Sequence, residues 1–443
     1  MASSTNQMLK PLTTCINNAG NLEIGGCELT KLAELYGTPL YVLDEKTIRS
    51  VCNDYKKAFE KYPHIHMMYA SKALCTSALT RILDEEGFGF DTVSAGEIYT
   101  VYKSGVDMRH VLFNGNNKSF EEISMALELG VGRISVDNFY ELELISKAAQ
   151  TKDKTVDILL RITPGIECHT HEYIQTGHLD SKFGFDLTQI DEAVELIQNK
   201  YKNIRLHGLH AHIGSQIFET GIYPDEIEIL AKEIARLDEK FGLKLNEINI
   251  GGGLGVKYTQ DDLPPSTYEV GELVINKLNE VIEKYNIEPP VVFLEPGRSI
   301  ISTAGVTLYT VGSSKQVPHG TKYVALDGGM ADNPRPSMYQ AQYVAEVANK
   351  KQTETKEVVT LAGRYCESGD ILIKDIELPE LSTGDVICVY NTGAYNYSMA
   401  SNYNRVQKPA MVLVNDGKAE LIIERENLDD LIAHDIIPDR LKK

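Results

Sequence analysis

The sequence predicts an α/β chain: a (βα)8 TIM-type barrel followed by a β-rich C-terminal domain, a sandwich or small barrel, that also takes in the N-terminal segment. Three observations predict it. Short apolar, β-branched or aromatic runs alternate with helical patterns through the first two thirds of the chain. Eight such runs fall within a span that suits one barrel, ~250 residues. After about Ser302 the helical periodicity stops, and short strands separated by Gly, Pro, Asp and Asn turns take over. An open doubly wound sheet is the alternative packing; a closed barrel suits eight units better. The boundaries expected are residues 43–301 for the barrel, and 1–42 with 302–443 for the β domain.

In chain order the barrel strands are expected at Met67–Ala70, Phe88–Asp91, Val111–Asn114, Arg133–Val136, Val156–Ile162, Leu206–Ile213, Glu247–Ile250 and Val291–Glu295. Amphipathic stretches lie between them. In Ser119–Leu129, Ile123, Ala126 and Leu127 fall at helical spacing, and Tyr268–Tyr285 behaves alike. Gly87, Gly105 and Gly130 each follow a helical stretch and suit left-handed C-caps. The second domain offers Gly305–Val311, Tyr323–Leu326, Lys356–Leu361, Asp385–Tyr390 and Ala410–Val414 as strands. The first ~40 residues lack helical periodicity until Thr30–Tyr36, and are expected to complete the β domain.

Composition narrows the function classes. At 42% hydrophobic and 24% charged the chain is ordinary globular. Lys+Arg number 44 against 63 Asp+Glu, a net charge of −19 with no basic cluster. That balance argues against nucleic acid and anionic membrane surfaces as partners. No apolar run approaches the ~18 residues of a membrane span. The start, MASSTNQMLKPLTT, shows no secretory signal, so a cytoplasmic location is expected. Seven cysteines without a C-x-x-C pair fit reduced thiols.

Barrel chemistry gathers at the C-terminal ends of the strands, and nearly every strand here ends in a polar or glycine-rich element. Lys72 follows the first, Asp91 ends the second, Asn114 the third, and Asp137 follows the fourth. Arg161 lies in the fifth, His210 and His212 in the sixth, Gly251–Gly253 after the seventh, and Glu295 at the end of the eighth. Asn114 and Asp137 equally suit helix N-caps. One shared site is the better reading of eight coincidences on one rim. Lys72, just past an apolar strand, is expected to be a desolvated nucleophile suited to imine formation; a snorkelling surface lysine is the alternative. GGGLG at 251–255 offers bare backbone N–H groups to a phosphate, with Gly214 and Ser215 as a second contact. It is neither a dinucleotide fingerprint, since Val256 stands where the third glycine belongs, nor a P-loop. Glu295 can hold a proton on a ring nitrogen, and Arg298 can take an anion as a fork.

A metal reading of Cys168, His169, His171 and His178 with His207, His210 and His212 is the weaker one, because no carboxylate sits at ligand spacing beside them; no metal is expected. In the second domain Cys366 stands beside Glu367 and Asp370 as a candidate acid or nucleophile. The aromatic and amide-rich GAYNYSMASNYN at 393–404 suits a ligand wall, and Arg335 with Tyr339 on a Pro-bracketed turn suits an anion.

Together these residues resemble the diaminopimelate decarboxylases, pyridoxal-phosphate enzymes joining an alanine-racemase-like barrel to a β domain. The motifs run in order from about Thr38 to the C-terminus: YASKA, DTVSAGE, HTHEYIQTG, SKFGF, GLHAHIGSQ, INIGGGLG, EPGRSI, DGGMADNPRPSMY, CESGD and GAYNYSM. The resemblance implies that Lys72 carries pyridoxal 5'-phosphate and that His212 stacks on its ring. It implies further cofactor contacts from Asp91, Ser215, Gly252, Gly253, Glu295 on the ring nitrogen, Gly297, Arg298 and Tyr395. Arg298, Arg335, Tyr339, Glu367 and Tyr395 match substrate positions. Cys366 matches the acid that reprotonates the substrate carbon, donated across a homodimer interface. The reaction implied is meso-diaminopimelate to L-lysine and CO2, the last step of lysine biosynthesis, with a small-molecule amino acid as partner and neither nucleic acid nor membrane.

Other readings stay open on the residues. Ornithine, arginine or D-lysine decarboxylation fits the same barrel, but in the ornithine and arginine enzymes an Asp follows the cysteine where Glu367 stands here. An alanine racemase needs a second catalytic tyrosine in place of the Cys366 loop. A catalytically silent regulatory binder would have lost Lys72 or Cys366, and this chain keeps both.

Overall fold

A computed structural model describes residues 3–165, 182–350 and 356–442. The described residues divide into two compact units, one of Met1–Met8, Ile48–Lys257 and Asp261–Ile301, the other of Leu9–Thr47, Tyr258–Gln260 and Ser302–Lys443.

In the first unit all eight expected strands form: β1 (Ile65–Ala70), β2 (Gly89–Thr92), β3 (Val111–Phe113), β4 (Arg133–Val136), β5 (Val156–Thr163), β6 (Ile204–His210), β7 (Glu247–Asn249) and β8 (Val291–Leu294). Each pairs in parallel with its sequence neighbours, and β8 returns to β1, so the sheet closes into a barrel with no free edge. Phe185–Asp186 adds a short parallel extension to β5 outside the ring. Met68, Leu112 and Leu159, from β1, β3 and β5, fill the bore as one layer with Phe293 against them. The helices start where side chains can cap them. Ser119 closes a capping box with Glu122 before Phe120–Leu129, and Ser266 caps Thr267–Tyr285. Gly87, Gly105 and Gly130 take the left-handed conformation expected of them.

The first residues pack on the barrel through buried polar groups. The Thr5 amide and hydroxyl donate to Asp54 at 2.8 and 2.7 Å, and the Asn6 side chain donates to the carbonyls of Gly255 and Pro265. A buried ion pair, Lys118–Glu141 at 2.9 Å, ties the loop after β3 to the helix after β4.

The second unit is built on one sheet ordered Ile371–Pro379, Lys356–Ala362, Lys322–Leu326, Gly305–Gln316, Leu40–Asp44, Ala410–Asn415 and Lys418–Ile423. Val386–Val389 pairs with Gly305–Gln316, and Ala345–Val347 with Val386–Val389. Leu40–Asp44 lies antiparallel to Gly305–Gln316 and parallel to Ala410–Asn415. Alternate residues from these strands make the core: Leu40 and Val42, Val306 and Leu308, Val386 and Cys388, Val412 and Val414. Leu22, Ile24, Leu29 and Leu32 from the N-terminal segment pack into the same cluster. Among the described residues no helix is long and apolar enough to cross a membrane.

Candidate active site

At the C-terminal rim of the barrel the polar strand ends converge. Glu295, one residue past β8, is buried, and its Oε1 accepts hydrogen bonds from Asn114 Nδ2 at 2.9 Å and Asn249 Nδ2 at 2.7 Å. His210 Nε2 stands 3.5 Å from its other oxygen, while His210 Nδ1 meets Ser135 Oγ at 2.7 Å. The same Asn114 amide donates to Asp91 at 2.6 Å, so two buried carboxyls share one donor. Burial and the charge on Glu295 push Asp91 up to about 8. Burial opposes ionisation of Glu295 as well, but His210, His212 and the Asn249 amide outweigh it and hold its carboxyl below the usual range. Of this pair, Glu295 is the carboxyl its surroundings favour as the ion, and Asp91 the one they push toward its protonated form.

Lys72 lies on a one-turn 3₁₀ helix, Ser71–Ala73, directly after β1. It is exposed, not desolvated as its position after an apolar strand suggested, since the chain has already left the strand for this turn. Its charge is felt at Asp91, Glu97 and His212, which places it over the same rim. His212 Nδ1 accepts the Gly252 N–H at 3.2 Å, and burial, then Lys72 and Arg161, hold its pKa well below the ordinary value. One of its ring nitrogens is thus committed to backbone.

The glycine run is a cradle that side chains would fill. A Cβ on Gly252 would stand 2.0 Å from the Glu295 carbonyl oxygen, and one on Gly253, at φ +102°, 2.5 Å from the Gly214 carbonyl oxygen. A Cβ on Gly297 would meet the Ala70 Cβ at 2.9 Å. Arg298, buried, reaches Ser215 Oγ with Nη2 at 3.0 Å and Nε at 3.3 Å. Bare backbone, a hydroxyl and a guanidinium suit a phosphate group, and an ionised Glu295 suits a protonated ring nitrogen. These residues fit pyridoxal 5'-phosphate.

Of the expected substrate residues, Arg298 belongs to the first unit, and Arg335, Tyr339, Glu367 and Tyr395 to the second. Arg335, buried at the start of Arg335–Tyr339, has its guanidinium carbon 5.6–5.8 Å from the rings of Tyr339, Tyr395 and Tyr258. Tyr395 takes a left-handed φ of +61°. Cys366 and Glu367 are exposed on the neighbouring loop. That loop is bound to the Arg335 segment by Ser337 Oγ donating to the Gly369 carbonyl at 2.9 Å. Two buried aspartates secure it further. Asp370 accepts the Met330 and Tyr365 amides at 2.7 and 2.8 Å, and Asp332 accepts the Tyr309 hydroxyl at 2.6 Å and the Tyr365 hydroxyl at 3.3 Å.

The three described histidines of the metal alternative, His207, His210 and His212, are otherwise engaged. His210 and His212 serve Glu295 and the glycine run, and His207 pairs with Asp157 at 2.9 Å. Cys168, His169, His171, His178, the HTHEYIQTG motif and Ser181 of SKFGF lie outside the described residues. Asp137 is not a helix cap; Asn138 caps Phe139–Thr151 instead. Sequence reasoning missed Asn249, although a polar residue ending an otherwise apolar strand was a legible signal. Nothing in the pattern marked Ser135, whose hydroxyl fixes His210.

The family model "Pyridoxal-dependent decarboxylase, pyridoxal binding domain" matches residues 45–302. The chain is 48% identical to a diaminopimelate decarboxylase of Synechocystis over 99% of this chain and 95% of that one. It is 46% identical to the Bacillus subtilis diaminopimelate decarboxylase over 95% and 96% of the two chains. A crystal structure of the M. jannaschii diaminopimelate decarboxylase superposes with a TM-score of 0.92 at 37% identity, covering 98% of this chain and all of that one; it has also been solved with L-lysine.

Asp332 yields a pH prediction. Burial pushes it from the ordinary 3.8 up to about 7, so the folded state keeps its proton where the unfolded chain has lost it. This group's contribution is full below pH ~4 and falls as pH rises through about 7, a loss of about 4 kcal/mol. Asp332→Asn should become progressively more stable relative to wild type as melting temperatures are compared from pH 4.5 to 7.5. An offset constant with pH would contradict this. The barrel rim, the family match and the full-length relatives together place the chain in the pyridoxal-dependent decarboxylase family, on its diaminopimelate decarboxylase branch.

Proposed function

We propose that this chain decarboxylates meso-2,6-diaminopimelate to L-lysine and CO2 with pyridoxal 5'-phosphate, the closing step of lysine biosynthesis. The observation that carries the reading is the buried Glu295 carboxyl, held by the Asn114 and Asn249 amides, beside a glycine-lined cradle and with Lys72 on the turn after β1. When bound, the cofactor supplies a sink for the electron pair left on the substrate carbon as CO2 departs.

The chain's own residues do the rest. Lys72 would be the amine that holds the cofactor covalently. Gly252, Gly253, Gly297, Ser215 and Arg298 would hold the phosphate end, and His212 would flank the ring. Glu295 keeps the ring nitrogen protonated, and protonated Asp91 beside it adds no second charge. Arg335, ringed by Tyr258, Tyr339 and Tyr395, takes the distal carboxylate, while Glu367 takes the distal amine. Arg298 and Tyr395 also contact substrate. The Cys366 thiol donates its proton to the carbon that lost CO2, and the thiolate recovers one from water.

We also propose that the working form is a cytoplasmic homodimer in which Cys366 of the partner subunit serves each Lys72. Six free cysteines among the described residues support a reducing compartment. An exposed acid loop in the second unit, with Lys72 exposed in the first, supports a site completed by a second chain.

Two measurements test this. Purified enzyme should release CO2 from meso-diaminopimelate, increasingly with added pyridoxal phosphate, and prefer it over L-ornithine or L-lysine by at least about a hundredfold in kcat/KM. Comparable CO2 from ornithine would overturn the substrate assignment. Lys72→Ala and Cys366→Ala should each be nearly inactive. Co-refolded in equal amounts, they should recover roughly a quarter of wild-type activity, since half the dimers are hybrids with one intact site. Hybrids shown to form but without activity would place both residues of a site in one chain.

A further inference from the structure

Asn404 and Arg405 are successive non-glycine residues with left-handed backbone, φ +53° and +57°. Such a conformation persists where the surroundings over-determine it, and it clusters at working sites. The surroundings are on both sides of the turn. On one, the Asn402 side chain donates to the Val406 carbonyl at 3.1 Å and to the Glu426 carboxylate, which also accepts the Lys408 amide at 2.8 Å. Arg405 donates to the Leu431 carbonyl and pairs with Asp435 at 2.5 Å. On the other, Asn404 Oδ1 accepts the Cys366 N–H at 3.1 Å, the Tyr403 hydroxyl donates to Glu367, and the Tyr403 ring stands 6.1 Å from that of Tyr365.

We propose that this turn is the positioning element of the acid loop: Asn404 sets where the Cys366 thiol stands, and Tyr403 sets the Glu367 carboxylate. The inference rests on the acid role proposed for Cys366. An exposed thiol on a bend has many rotamers and backbone states open to it. A proton donor gains its rate advantage only when held within reach of the accepting carbon. The clamp grips residues 365–367 by a ring contact, a backbone bond and a carboxylate bond in sequence. It is itself held in place by the segment that follows the last strand.

The test uses holoenzyme. Asn404→Gly tolerates the left-handed backbone but removes the acceptor, and Asn404→Asp restores one. Asn404→Gly should lower kcat about tenfold with KM for meso-diaminopimelate within about twofold, because binding is intact and only the proton donor is misplaced. Its Cys366 alkylation rate with iodoacetamide, followed by mass spectrometry without substrate, should change at least about threefold as the loop loosens. Asn404→Asp should return both readings to near wild type. Tyr403→Phe should instead raise KM with kcat little changed. An inactive Cys366→Ala beside an Asn404→Gly unaltered in kcat and alkylation would overturn the positioning role alone. A fully active Cys366→Ala would overturn the acid assignment, and this inference with it.

Discussion

One buried negative charge organises the barrel rim. An ionised carboxylate out of water costs several kcal/mol unless fixed dipoles replace its hydration. Here the replacement comes from strands far apart in sequence: Asn114 after β3, His210 at the end of β6 and Asn249 at the end of β7, all turned on Glu295 after β8. Only a closed sheet brings those ends to one point. Burial, and then this neighbouring carboxyl, push Asp91 toward its protonated form. The backbone follows: the Glu295 amide donates to the Gly251 carbonyl at 2.6 Å, so the residue carrying the charge is tied to the cradle beside it.

The second unit solves a related problem with the opposite sign. Arg335 is a buried guanidinium faced by tyrosine rings. The aspartates near it are spent on the loops that frame it: Asp332 on Tyr309 and Tyr365, Asp370 on the Met330 and Tyr365 amides. Arg335 thus keeps its charge for an anion from outside the fold.

Much of this was legible in the sequence, and for identifiable reasons. Barrel strands are short continuous apolar runs that finish in polar residues, and both features survive in linear order; all eight appeared near their expected places. Glu295, Lys72 and the glycine run stood out because each breaks an apolar run at its end. Less legible were elements whose partners are distant. Leu40–Asp44 pairs with strands more than 250 residues later, so nothing local marks it as central to a sheet. Ile371–Pro379 interrupts its apolar alternation with Lys374 and Asp375, as an edge strand can. Lys72 was expected to be desolvated because a strand precedes it; the 3₁₀ turn that exposes it has no sequence signature of its own. Asn404 looked like one more loop amide, and its hold on Cys366 depends on two loops meeting.

The most direct measurement is on Glu295→Gln, which keeps the shape and an acceptor oxygen but removes the charge. Reconstituted with pyridoxal phosphate, the variant should bind cofactor stoichiometrically, seen in its visible absorbance, yet turn over meso-diaminopimelate at least about a hundredfold more slowly, since an amide cannot keep the ring nitrogen protonated. A variant with full cofactor and near-normal kcat would contradict the central role given to this one charge.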